Sequence, residues 1–318
     1  MSEKTLRIVV GVAVLLVAAY ALTAMVGGNT SADRGDAGRA LVRALAGARD
    51  GLAAVRIVGP QPGDSVELVR GEDGSWTVNG KPADSAAVAR LEDALEGARV
   101  GHLAARNPDN HARLGVAADS TWRLELRRAG RGEPVRLLLG NNGPSYPSVY
   151  ARLPDSDEVF VVSGDLVSAV RRPAAEWRDR VVLRVDTVAV RRVVVTRDEE
   201  TYTLERGDSA RWVVDDALAD SAAVEELLEG LARLEAQAFA RDTVTLGDDV
   251  ARTVLVLGEA GDTLALVRIA ATEQTWTWRA TAAGKAAAEG LGEDVFELAG
   301  WRVDRIAPEK GKVVGSGS

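Results

Sequence analysis

Apolar residues recur along this chain with two spacings, and the switch between them marks out the elements. Val88, Leu91, Leu95 and Ala98 follow one another at steps of three, four and three, which places them on one face of a helix. Val224, Leu227, Leu231 and Leu234 repeat the same steps. Elsewhere the period is two. Trp122, Leu124 and Leu126 alternate with Arg123, Glu125 and Arg127, the pattern of a strand with one wet face. Runs of this kind predict strands over 55–58, 65–70, 75–78, 100–106, 121–128, 134–140, 148–153 and 158–162. A second series falls over 188–196, 200–205, 211–214, 252–257, 263–269 and 275–280. Asp73-Gly74 and Asn79-Gly80 are hairpin turn signals, and Asp84 or Ser85 is placed to cap the first helix. A short helix over 165–170 and Trp177-Arg178-Asp179-Arg180 close the first series. Residues 294–299 and Trp301-Arg302-Val303-Asp304-Arg305 are expected to close the second, with an Ala-rich piece at 284–290 read as able to form a helix.

The two series are copies. Ala83-Asp84-Ser85-Ala86-Ala87-Val88 returns letter for letter as Ala219-Asp220-Ser221-Ala222-Ala223-Val224. Trp76 answers to Trp212 in the same register, and Ala105-Arg106-Asn107 answers to Ala240-Arg241-Asp242. A repeat this long means two copies of one domain, not a solenoid. The expected fold is α+β: an N-terminal transmembrane helix, then two tandem homologous domains, each a mostly antiparallel sheet with one main packed helix.

The transmembrane segment is residues 8–26, free of charge and apolar on every face, long enough to cross a hydrocarbon core of about 30 Å. The rival reading is a cleaved signal peptide with Ala19-Tyr20-Ala21 as its small-x-small site. Lys4 and Arg7 favour a cytoplasmic N-terminus over 1–7, leaving the bulk of the chain extracytoplasmic, periplasmic in a bacterial inner membrane. Residues 27–51 then read as a linker, either a plain tether or a juxtamembrane docking helix. The repeats are expected at 52–180 and 181–308, with 309–318 as a disordered tail.

Composition narrows the function classes. The 318 residues have room for about two domains, and 46% hydrophobic with 27% charged residues describes a folded body. A net charge of −8 argues against a nucleic-acid partner. The chain has no cysteine, which removes disulfides and thiol chemistry. Its two histidines, His102 and His111, are not clustered as metal ligands, and no cofactor motif is present. Asp215-Asp216 and Asp248-Asp249 are adjacent carboxylates in turns, not a pair facing each other across a cleft. No catalytic residue is expected, nor any metal or cofactor.

Two features invite a functional reading. The turn around Asn141, Asn142, Tyr146 and Tyr150 is long and aromatic, while its counterpart around 270–274 is shorter. It reads as a structural turn or as a ligand loop. The junction between the copies holds Arg171, Arg172, Arg178, Arg180, Arg184, Arg191, Arg192 and Arg197 against Glu176, Asp179 and Asp186. That local excess of positive charge reads as a salt-bridge seam or as a docking patch for an acidic protein or for anionic headgroups.

Val55-Arg56-Ile57, Ser75-Trp76-Thr77-Val78, Pro82-Ala83-Asp84-Ser85, Arg113-Leu114-Gly115-Val116, Leu138-Leu139-Gly140, Val149-Tyr150-Ala151-Arg152 and Trp177-Arg178-Asp179-Arg180 follow the N-terminal segment in order. In this the chain resembles the bacterial domain of unknown function 4340 family. The resemblance implies a membrane-anchored auxiliary component of a gliding-motility-type ABC transport system, with no catalytic residues to carry over. The expectation is a non-enzymatic interaction module whose partners are the membrane and ABC-type transporter subunits or other envelope proteins. The alternative is an envelope glycan- or ligand-binding module using the 141–146 loop.

Overall fold

The computed structural model describes residues 35–46, 51–61, 65–130, 132–207, 211–240, 244–247, 249–274 and 276–315. The expected N-terminus and transmembrane segment, residues 1–26, lie outside them. Among the described residues no helix is long and apolar enough to cross a membrane.

The protein is α+β, built on two large, mostly antiparallel sheets. The first contains β1 Leu52–Val58, β2 Ser65–Arg70, β3 Trp76–Val78, β4 Lys81–Pro82, β5 Arg99–Ala105, β6 Trp122–Arg128, β7 Val135–Asn142, β8 Ser148–Arg152 and β9 Val159–Ser163. Its order is β4-β3-β2-β1-β6-β7-β8-β9-β5. After a short strand β10 (Val181–Leu183), the second sheet takes β11 Arg192–Arg197, β12 Glu200–Arg206, β13 Trp212–Val214 and β14 Ala217–Leu218. Then β15 (Leu234–Glu235) pairs with β10, and β16 Ala238–Phe239, β17 Val250–Leu257, β18 Thr263–Ala271, β19 Thr277–Ala283 and β20 Phe296–Ala299 complete the set. The second order, β14-β13-β12-β11-β17-β18-β19-β20-β16, is the first repeated strand for strand.

Alternation dictates which face is buried. Val55 and Ile57 stand opposite Leu126 and Leu124, which in turn face Val135 and Leu137. In the second sheet Val193 and Val195 stand opposite Val256 and Val254, which face Ala265 and Val267. The helix Ser221–Ala232 packs Val224, Leu227 and Leu231 into the core of the second sheet, and the helix Ser85–Gly97 of the first copy buries Val88, Leu91 and Leu95. Each such side chain contributes about 1.5–3 kcal/mol by leaving water. Asp220 caps the second helix, its carboxylate accepting from the Ala223 N–H at 2.9 Å. Leu234, expected on that helix, lies past its end in β15, because Arg233 turns to an extended backbone.

Within the stretch read as a plain tether or a docking helix, Asp36–Leu45 forms a helix that buries Leu41, Ala44 and Leu45, and its last carbonyls accept from Arg128. The amphipathic spacing of those residues explains why it docks. Residues 296–299, placed in the closing helix, are strand β20, and the helix is Gly300–Ile306. The Ala-rich 284–290 piece is a turn with one bridge, Leu183 to Ala287. Of the tail, Lys310–Val313 is helical with Val313 fully buried, and Gly315 N–H donates to Leu218 O.

That tail also corrects the matching of the two closures. The Asp84 N–H donates to Trp177 O, and the Asp220 N–H donates to Val313 O. Ala83 bridges Arg178, as Ala219 bridges Val314. The counterpart of Trp177 is therefore Val313, not Trp301. By compactness the chain divides into a unit ending at Arg70 plus Ala86–Ala174, and a unit of Gly71–Ser85 plus Ala175 onward.

Candidate functional site

The motif glycines of the first sheet build a rigid base for the 141–146 loop. Gly140 packs so tightly that an added Cβ would lie 2.3 Å from Leu114 O and 2.5 Å from a Val116 methyl. Gly115 takes a left-handed φ of 71° that lets the helix His111–Leu114 end there. Asn141 Nδ2 donates to Arg113 O at 3.1 Å, and Arg171 donates to Gly140 O. Burial pushes the Arg171 guanidinium below its ordinary pKa. His111 is buried, with its Nε2 3.0 Å from Asp157 O. Of the four loop candidates, Asn141 is spent on this anchoring and Tyr150 packs beside Leu114, Val116 and Val159. Asn142 is exposed at the end of β7, and Tyr146 stands at the tip, 86% exposed.

Arg178, Arg184, Arg191, Arg192 and Arg197 each face a carboxylate of the chain. Arg178 donates to Asp294 at 2.6 Å and lies 3.5 Å over the Phe239 ring, while Lys81 holds the same carboxylate at 3.1 Å. Arg191 reaches Glu259, Arg192 reaches Glu205, and Arg184 stands 3.9 Å from Asp179. Arg172 lines a small cleft with Arg90, Asp93 and Asp165, and Arg180 is exposed. Arg197 and the buried Arg252 both bind Asp304, at 3.2 and 2.7 Å, and Arg252 stacks 4.4 Å over Trp278. Burial works to raise the pKa of Asp304, but Arg252 and Arg197 outweigh it and hold the carboxyl below the usual range. Tyr202 donates to Pro308 O at 2.7 Å, and burial pushes its phenol well up. Arg197, Arg252 and Tyr202 hold the second sheet to its closing segments.

The outer sheet faces differ from each other. Across the first, Glu67, Arg56, Glu125 and Arg136 stand in register, a row of alternating charge. At the corresponding positions of the second stand Thr203, Val194, Leu255 and Leu266. Leu257 flanks them, and these four aliphatic side chains are half-buried, while Leu264 packs against the core. At the β18–β19 tip, the place Tyr146 holds between β7 and β8, stands Trp276, 80% exposed.

Sequence reasoning missed both. The signal for the face was available: Val193-Val194-Val195, Val254-Leu255-Val256-Leu257 and Leu264-Ala265-Leu266-Val267 are unbroken apolar runs, the signature of strands covered on both faces. Trp276 was marked by its isolation among Thr, Glu and Gln. Among the described residues no group of three or more His, Cys, Asp or Glu could hold a metal ion.

Searches of curated proteins and of solved structures returned no match. A family model, described as a domain of unknown function, DUF4340, matches residues 76–251, from β3 into β17 and across more than half the chain. The chain belongs to the DUF4340 family.

Proposed function

We propose that this chain is a non-enzymatic, membrane-tethered module, built from two copies of one domain, that docks a partner protein on the outer face of its second sheet. One observation carries the reading. The row that holds Arg56, Glu125 and Arg136 in the first sheet holds Val194, Leu255 and Leu266 in the second. A contiguous apolar surface on a sheet is costly in water and favours cover by a complementary surface. The pairing of Arg178, Arg191, Arg192 and Arg197 with carboxylates of the chain shifts the docking surface away from the junction arginines.

The apolar segment 8–26 supplies the tether and puts the sheets outside the cytoplasm of a bacterial inner membrane. An ABC-type transport complex is the partner this reading favours, by the family resemblance alone. The test is recovery of the full-length protein from its own membranes in mild detergent. Transporter subunits should come with it, and Val194→Arg with Leu255→Glu and Leu266→Arg should lose them while the protein stays folded. Unchanged recovery with the triple variant would remove the docking face. Tyr146 on its anchored loop supports a second reading, an envelope glycan-binding site. It predicts thermal stabilisation by a glycan that Tyr146→Ala abolishes.

A further inference from the structure

The outer face of the first sheet carries a cleft of about 450 Å³. It is lined by β1, β6 and β7 and by the turns holding Ala118 and Pro154. That volume falls among small-molecule sites, which run from about 300 to 1,000 Å³. Its floor is apolar for a local reason. Leu138 lies on the outward side of β7, opposite the exposed Arg123, yet is only 3% exposed. Val58 stands opposite Arg123 on the other side.

The walls are held by Arg152, itself buried, which stands opposite Leu138 and donates to the carbonyls of Val116, Leu153, Pro154 and Ser156. Burial lowers its pKa, with Asp157 opposing. A guanidinium with four carbonyl acceptors fixes the Pro154 turn, so the cleft is formed before any ligand arrives.

The rim is cationic. Arg56, Arg123 and Arg136 line it with a single carboxylate, Glu125, which accepts from Arg136 at 3.2 Å and from Arg127 at 3.4 Å. Arg56 stands in register between Glu67 and Glu125. Arg123 has apolar neighbours on both sides, Val58 and Leu138. Neither Arg56 nor Arg123 makes an ion pair among the described residues. In an acidic chain this leaves guanidinium donors above an apolar floor, a combination that matches a carboxylate or phosphate carried on an apolar body.

We propose that this cleft binds a small amphipathic anion, its head on Arg56 and Arg123 and its apolar body on Val58 and Leu138. The site is independent of the docking face. Isothermal titration of the full chain in nanodiscs, with empty nanodiscs as blank, tests it using octyl phosphate, octanoate, octanol and inorganic phosphate. Either amphipathic anion should bind saturably at one site, the tighter of the two naming the head group. Arg56→Gln with Arg123→Gln should weaken it at least tenfold, and Ala118→Trp, which fills the cleft, should do the same without lowering the melting temperature. No saturable heat from either anion would overturn the proposal. So would undiminished binding in either variant, or octanol or inorganic phosphate binding as tightly.

Discussion

The two sheets share one strand order and one way of burying their inner faces, yet their outer faces carry opposite chemistry. Inside, Val55 and Ile57 correspond to Val193 and Val195, and Leu124 and Leu126 to Val254 and Val256. Outside, Arg56, Glu125 and Arg136 correspond to Val194, Leu255 and Leu266. A strand's period of two separates these pressures, since a residue on one face changes without disturbing the other. The inner face answers to the fold. The outer face is free to differ between the copies.

The comparison can be broken hardest at the closing segments. Trp177 and Val313 hold equivalent places and are both fully buried. Trp177→Ala should cost about 3–5 kcal/mol, and Val313→Ala about 2 kcal/mol. Chemical denaturation monitored by circular dichroism reads both, and equal costs would mean the two sites are not packed as described.

Next comes the Asp304 network of the second sheet. Removing its charge with Asp304→Asn should cost about 1–2 kcal/mol, a charge-assisted hydrogen bond discounted for exposure. Asp304 has a lowered folded pKa. Its stabilising contribution is therefore present above the unfolded value of about 3.9 and is lost as pH falls through the folded one. Melting temperatures recorded from pH 6 down to about pH 2 should fall less steeply for the Asn variant. Parallel curves would contradict the assignment.

A smaller effect is expected at the turns. Asn79-Gly80 in the first copy becomes Asp215-Asp216 in the second, and Asp216 takes a φ of 73°. Asp215 is compensated, since it accepts from Thr203 N–H and pairs with Lys310 at 2.8 Å. Asp216→Gly should raise stability by about 1 kcal/mol by relieving the left-handed cost. A loss in the same denaturation assay would show that the carboxylate has a role of its own.

Least of all should stability respond to exchanging the outer row. Val194→Arg, Leu255→Glu and Leu266→Arg together reproduce the first sheet's alternation and should change it by under about 1 kcal/mol. A larger loss would mean that these side chains serve the core.

Much of this fold was legible in the sequence, because the determinants are local. The helix steps at Val88, Leu91 and Leu95, the Asn79-Gly80 turn and the alternation of Trp122–Arg128 each fix an element from neighbouring residues. The closing segments were not legible. Trp301 resembles Trp177 by letter, but the match that matters is a backbone hydrogen bond from Asp220 N–H far back along the chain, and Val313 accepts it. The 141–146 loop was found by its composition, although Asn141 and Tyr150 proved to build its base. The arginine cluster was legible as a run of like charge. Its carboxylate partners Glu205, Glu259, Asp294 and Asp304 come from distant strands and helices that no local pattern brings together.

The most direct test of the docking face is site-specific photo-crosslinking in native membranes, with a benzophenone side chain at Leu255 and, in a parallel protein, at Glu125. The predicted result is a discrete adduct with a transporter subunit from Leu255 and none from Glu125. Equal labelling from both positions, or none from Leu255 in membranes where the complex is assembled, would contradict it.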